Sequence, residues 1–175
     1  MLKRIGAEES GEFKAVASGT LPCGRPVVVN SDGTVSTITS TTISAGIGSE
    51  VTFESANARP GQGTFDSSNN KVIVVYSDEG NSSHGTAVVG TVDSSDNSIS
   101  FGTPVVFHSA STSMISSTFD SSNNKVVIGY KDGANNGYGT AVVGTVSGTS
   151  ISFGSDAIFW NANTNGIEAL DLSFD

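Results

Sequence analysis

The chain has 175 residues, with 8 Lys+Arg against 17 Asp+Glu, a formal net charge of −9 and only 14% charged residues. Its 29 serines, 17 threonines and 21 glycines make up 67 positions, while the Ala, Leu, Glu, Lys and Arg on which helices lean are scarce. Long helices and a coiled coil are thereby excluded; no apolar run reaches the ~20 residues of a membrane-spanning helix, and the acidic balance argues against nucleic acid, whose binders displace counterions with clustered Lys and Arg.

The first residues, Met1 to Ser10, carry a basic pair, Lys3-Arg4, with no apolar stretch behind it, so they do not read as a secretory signal. Lys3 to Gly11 is polar enough to order only against a partner. Phe13 to Val35 reads as two or three strands, with Asn30-Ser31-Asp32-Gly33 as a hairpin turn of the Asp-Gly kind and Pro26 opening an edge strand. The single cysteine, Cys23, sits between Pro22 and Gly24 with no activating His or Lys beside it, which fits a structural or incidental thiol better than a nucleophile. Gly33-Thr34-Val35 resembles a motif found twice further on, and Ile43 to Phe53 then reads as the last strand of an incomplete leading unit. Residues 1–48 are expected to form one segment and 49–175 a repeat array.

The array is the strongest signal in the chain. Thr64-Phe65-Asp66-Ser67-Ser68-Asn69-Asn70-Lys71-Val72 returns 54 positions later as Thr118-Phe119-Asp120-Ser121-Ser122-Asn123-Asn124-Lys125-Val126, and Gly85-Thr86-Ala87-Val88-Val89-Gly90-Thr91-Val92 returns as Gly139 to Val146. Repeats are expected at about 63–116 and 117–171, with the start of a further one at Leu172. Each reads as four short strands: one ending at Phe65-Asp66, then Lys71–Ser77, about Thr86–Val92 and about Ile99–Phe107. The Asp-Ser-Ser-Asn-Asn runs between the first two suit a turn, since short polar side chains bond back to the backbone and tolerate left-handed geometry. The fold class is therefore all-β, built of antiparallel four-stranded meanders of about 54 residues that resemble β-propeller blades; a β-sandwich or a stack of meanders is the alternative. Closed propellers need about four to eight blades, and 175 residues supply barely three, so the reading favours a fragment of a longer array over chains that pool their blades.

The run Val16-Ala17-Ser18-Gly19-Thr20-Leu21-Pro22, followed by Pro26-Val27-Val28-Val29-Asn30-Ser31-Asp32-Gly33-Thr34-Val35, resembles the opening of many bacteriophage virion proteins, and the repeats are similar to tandem repeats in phage tail-associated proteins, notably of marine phages. The resemblance covers most of the chain and implies a virion component made in the host cytoplasm: a tail fibre, an appendage or a decoration whose start docks on other virion proteins and which is itself a homo-oligomer; apart from the resemblance, the residues read as the docking segment are Lys3, Arg4, Phe13 and Lys14. Its motifs are structural and bring no functional residue with them.

Candidate chemistry is sparse. No Gly-x-Ser-x-Gly, His-Glu-x-x-His or phosphate-binding loop occurs, so no catalytic residue, cofactor or metal site is expected and an enzyme ranks last. His84 and His108 do not recur at repeat phase, their counterparts being Tyr138 and Trp160, which reads as ordinary surface or rim positions. Asp66 and Asp120 recur within oxygen-rich turns that could hold calcium, but a turn closed on its own backbone explains them more simply. Most aromatics fall at repeat phase and read as packing between repeats. Tyr138 and Trp160 are the off-phase pair, and stacked on a sugar ring they would make the chain a carbohydrate-binding module contacting a host surface glycan; core or interface packing is the plainer reading of the Trp.

Overall fold

The computed structural model describes residues 15–21, 23, 26–37, 48–161 and 167–175. The chain divides into two compact units, Met1–Ile43 and Ser44–Asp175. It is all-β, with strands over 57% of the described residues. Among them no helix is long and apolar enough to cross a membrane. The docking residues expected from the sequence, Lys3, Arg4, Phe13 and Lys14, lie outside the described residues.

The first unit holds a three-stranded mixed sheet. β1 (Val16–Ala17) runs parallel to β3 (Thr34–Thr37), and β2 (Val27–Val29) pairs antiparallel on the other side of β3. The Asn30–Gly33 turn forms as its composition dictates. Asn30 N donates to Thr34 O at 2.8 Å, Gly33 N to Asn30 O at 3.0 Å, and the Asp32 carboxylate accepts from both Thr34 N and its hydroxyl. Cys23 is exposed.

The second unit is one hydrogen-bonded, strongly curled sheet of nine strands: β4 (Ala58–Asp66), β5 (Lys71–Asp78), β6 (His84–Asp93), β7 (Ser98–Phe101), β8 (Val105–Asp120), β9 (Lys125–Asp132), β10 (Tyr138–Ser147), β11 (Ser150–Phe153) and β12 (Ala157–Trp160). The two repeats are the two halves of this sheet. Each is an antiparallel meander in which the third strand, β6 or β10, carries a fourth strand broken in two. The expected fourth strand Ile99–Phe107 is interrupted at residues 102–104, where the chain steps from the C-terminal to the N-terminal half of β6. It also does not end at Phe107. β8 continues for 16 residues, its first half closing the first repeat against β6 and its second half opening the second repeat against β9.

β8 is therefore the crease on which one repeat folds over the other. A single core fills the space between: Ile73, Val75, Ala87, Val89 and Phe107 from the first repeat meet Phe119, Val126, Ile128, Tyr130, Val142 and Ile151 from the second. Burying side chains on successive strand positions requires cover on both faces of a strand, and Thr86 to Val89 on β6 has it.

The turns explain the Asp-Ser-Ser-Asn-Asn runs. Asp66 Oδ1 accepts from Ser68 N and Asn69 N, both at 2.9 Å, and Oδ2 from the Asn69 side-chain amide at 2.8 Å. Asp120 repeats all three bonds. Asn70 and Asn124 close these turns at φ 53° and 54°, the left-handed region that Asn tolerates best after Gly. With both carboxylate oxygens accepting from the turn itself, each turn is complete without a cation. Lys71 and Lys125 add a second recurring bond, each donating Nζ to a threonine, Thr91 or Thr145, at 2.8 Å.

The glycines of the third strand have a packing reason. A Cβ on Gly85 or Gly139 would run into the ring of Phe107 or Phe159, and one on Gly90 or Gly144 would lie 3.0 or 2.9 Å from Phe101 or Phe153. Each glycine lets an aromatic ring from the fourth strand lie flat across the backbone, which restores the packing that a bare glycine loses in a sheet.

Candidate site at the joint between repeats

The side chains with the most chemical potential converge where one repeat meets the next. Tyr76 on β5 and Tyr130 on β9 stand 54 positions apart, both almost fully buried. Each phenol reaches the residue that follows the phenylalanine packed on its ring. Tyr76 donates to Glu54 Oε2 at 3.2 Å, and Tyr130 lies 3.1 Å from His108 Nδ1. Glu54 and His108 are themselves 54 apart. The aromatic setting repeats as well. Phe53 packs on Tyr76 and Phe101 at ring-centroid distances of 5.2 and 5.8 Å, and Phe107 packs on Tyr130 and Phe153 at 5.3 and 5.8 Å.

Residues 48–57 thus occupy, against the first repeat, the place that residues 102–111 occupy against the second. They form no strand, yet Phe53 fills the seat that Phe107 fills. Of the leading-unit strand expected at Ile43 to Phe53, the part before Gly48 lies outside the described residues.

The second joint carries the richer cluster. His108 Nε2 lies 3.0 Å from Asp132 Oδ1, and Tyr130 donates to Asp156 Oδ2 at 3.1 Å. The imidazole is tilted against the Tyr130 ring, centroids 4.9 Å apart. Asp132 is held in place by Ala134 N, which donates to its Oδ1 at 2.9 Å. His108 is therefore no rim residue; its side chain keeps 15% of its exposure. A signal was available in the register: the position pairs with the tyrosine in both repeats, but Glu54 and His108 do so with different chemistry, so identity at repeat phase does not reveal it.

Burial pushes both phenols well above the usual tyrosine range, with the carboxylate of Glu54 beside Tyr76 and that of Asp156 beside Tyr130 pushing in the same direction. Each phenol is consequently a proton donor that stays protonated, not a base or a nucleophile. At each joint the bond fastens a repeat to the segment that precedes it. Among the described residues no group of three or more His, Cys, Asp or Glu side chains is placed to hold a metal ion.

A groove of about 240 Å³ lies on the first repeat, lined by Phe53, Arg59, Gln62, Val74 and Tyr76 among others. Arg59 of its lining is ion-paired with Glu79. Tyr138 and Trp160 are both half-buried. Trp160 pairs in register with Gly139, next to Tyr138 on β10, and the strand alternation turns neighbouring side chains to opposite faces. The two rings make no stacking contact with each other, so they do not line one common platform.

Comparison of the chain with protein-family models, with curated proteins and with solved structures finds no match in any of the three.

Proposed function

We propose that the chain is a non-enzymatic structural protein of a bacteriophage particle, a tail-attached fibre or appendage in which a short N-terminal unit docks on other virion proteins and the repeats form a rigid projecting body. The observation that carries the non-enzymatic part is the use made of Tyr76, Tyr130, His108 and Asp132. The two tyrosines are spent at matching positions, and His108 with Asp132 at the second joint alone, on fastening one repeat to what precedes it. The particle assignment rests on the resemblance of residues 16–35 and of the repeats to phage virion proteins. An acidic, Ser/Thr-rich surface with 14% charged residues suits a body that stays soluble at high local density.

The test is biochemical. Particles of the encoding phage, purified by density gradient and digested for mass spectrometry, should contain peptides of this chain at a fixed ratio to the major tail proteins. Antibody-gold labelling should place it on the tail. Recovery of the chain only in the soluble lysate, with none in the particle band, would refute the assignment.

A further inference from the structure

Each repeat has a forward face, turned towards the next repeat, and a backward face. Inside the molecule they meet once. The forward face of the first repeat, with Ile73, Val75, Val89 and Phe107, packs on the backward face of the second, with Phe119, Val126, Ile128 and Val146. Among the described residues no repeat stands against the backward face of the first repeat or the forward face of the second, and their side chains show it. Phe159 is 53% exposed where its counterpart Phe107 is 9%, and Phe65 is 53% exposed where Phe119 is 8%. Val143 and Val92 are likewise exposed where Val89 and Val146 are buried. The two open faces are the two halves of a joint that this chain already makes once.

We propose that these faces meet between molecules: a second copy of this chain docks head to tail, laying its Phe65–Val92 face on the Val143–Phe159 face of the first. The internal joint is the template for the contact, which names the occupant by shape and chemistry. Two segments stand on parts of these faces now. Residues 48–57 hold Phe53 on Tyr76 and Phe101, and Leu170 and Leu172 lie against Gly129. Neither segment forms a strand. The first is tied by Tyr76 to Glu54 and by Glu79 N to Asn57 O, the second by Leu172 N to Ser116 Oγ. In the docked pair β12 with Phe159 takes the seat of Phe53, and β4 of the incoming copy takes the seat of residues 167–175. These are exchanges of like for like. The apolar side chains buried in addition, Phe65, Val92 and Val143, are the net gain. Because the contact joins two different faces, every docked copy keeps one free, and association continues until the rotation closes a ring or runs on as a filament.

Sedimentation velocity on the full chain, over a concentration series at about 0.15 M salt to screen the net negative charge, should show species larger than the monomer. Phe159→Asp and Phe65→Asp should each weaken association more than tenfold. An equimolar mixture of the two variants should recover a dimer and stop there, since each supplies the face that the other lacks. Both side chains are half exposed, so circular dichroism should be unchanged; if either variant unfolds, Val143→Lys and Val92→Lys give the same complementation test from two further exposed positions. Two results would overturn the proposal: a wild-type chain that sediments as a monomer throughout, or a Phe65→Asp chain that associates like wild type, which would mean that the Phe159 face binds itself.

Discussion

Gln62 and Ser116 hold the same position in successive repeats and are hydrogen-bonded to each other, the Ser116 hydroxyl donating to Gln62 Oε1 at 2.7 Å. The same oxygen accepts from Ser117 N at 2.8 Å, and Ser116 Oγ in turn accepts from Leu172 N at 2.9 Å. First strands therefore pack side by side along the array, β4 on the second half of β8, and the latter under residues 167–175. The last segment thus reaches the second repeat through Ser116, the residue by which β8 reaches the first.

Gln62 is the linchpin of the first of these contacts. Gln62→Leu keeps the side-chain bulk and removes the acceptor, leaving the buried Ser117 N–H and Ser116 hydroxyl without it. A buried donor deprived of its acceptor costs about 1–3 kcal/mol. Urea unfolding should show a loss in that range with an unchanged m-value; a variant as stable as wild type would mean that solvent replaces the amide.

Gly144 tests the pairing of glycine with aromatic ring. A Cβ there would lie 2.7 Å from Ile151 Cδ1 and 2.9 Å from Phe153 Cε1, both inside the close-packed joint. Gly144→Ala should therefore destabilise, by about 1–3 kcal/mol as for other overpacked cores, although alanine is ordinarily no worse than glycine in a strand. Gly148, where a Cβ meets nothing but the backbone sits at φ 60°, makes a useful contrast: its cost comes from backbone strain, and Gly148→Asn should relieve most of what Gly148→Ala imposes. Thermal melts of the three variants separate the two causes.

Much of this architecture is legible in the sequence, and the rest is hidden for definite reasons. The 54-residue period, the Asp66 and Asp120 turns and strands such as the expected Lys71–Ser77, found over Lys71–Asp78, follow from turn chemistry and short apolar runs, which are local. The continuity of β8 is less obvious because the repeat boundary suggests a break, yet no Gly, Pro, Asn or Asp stands between Val105 and Phe119, and that absence of breakers is the missed signal. The glycines of Gly-Thr-Ala-Val-Val-Gly read as punctuation, whereas their reason is a ring contributed by another strand. His108 is harder still. Its partners Tyr130 and Asp132 lie 22 and 24 positions downstream, and its repeat counterparts are Glu54 and Trp160, so no comparison of residue types marks it.

Tyr76 and Tyr130 predict an alkaline weakness. Both phenols are held above their unfolded value of about 10 by burial first and by the neighbouring carboxylates Glu54 and Asp156 next. Below about pH 10 both folded and unfolded chains keep these protons and the stabilisation is present in full. As the pH rises further the unfolded chain releases them and the folded chain does not, so stability falls by about 1.4 kcal/mol per pH unit for each tyrosine. Tyr130→Phe should reduce the alkaline slope of the unfolding free energy by that amount, and Tyr76→Phe by as much again. Slopes identical to wild type between about pH 10 and 11 would show that the phenols ionise equally in both states.

Thr140 offers a change in the opposite direction. It is 1% exposed, and its hydroxyl has no hydrogen-bond partner, whereas the hydroxyl of its repeat counterpart Thr86 donates to His84 O at 3.3 Å. An unpaired buried hydroxyl carries a desolvation penalty of about 1–3 kcal/mol, and valine has nearly the same shape and a stronger preference for strands. Thr140→Val should therefore raise stability by about 1 kcal/mol, while Thr86→Val, which loses a bond along with the hydroxyl, should gain less or nothing. The pair distinguishes an unsatisfied group from a general benefit of apolar substitution: equal gains at both positions would assign the effect to hydrophobicity alone, and a loss at Thr140 would mean that its hydroxyl has a partner in solution, such as a bound water.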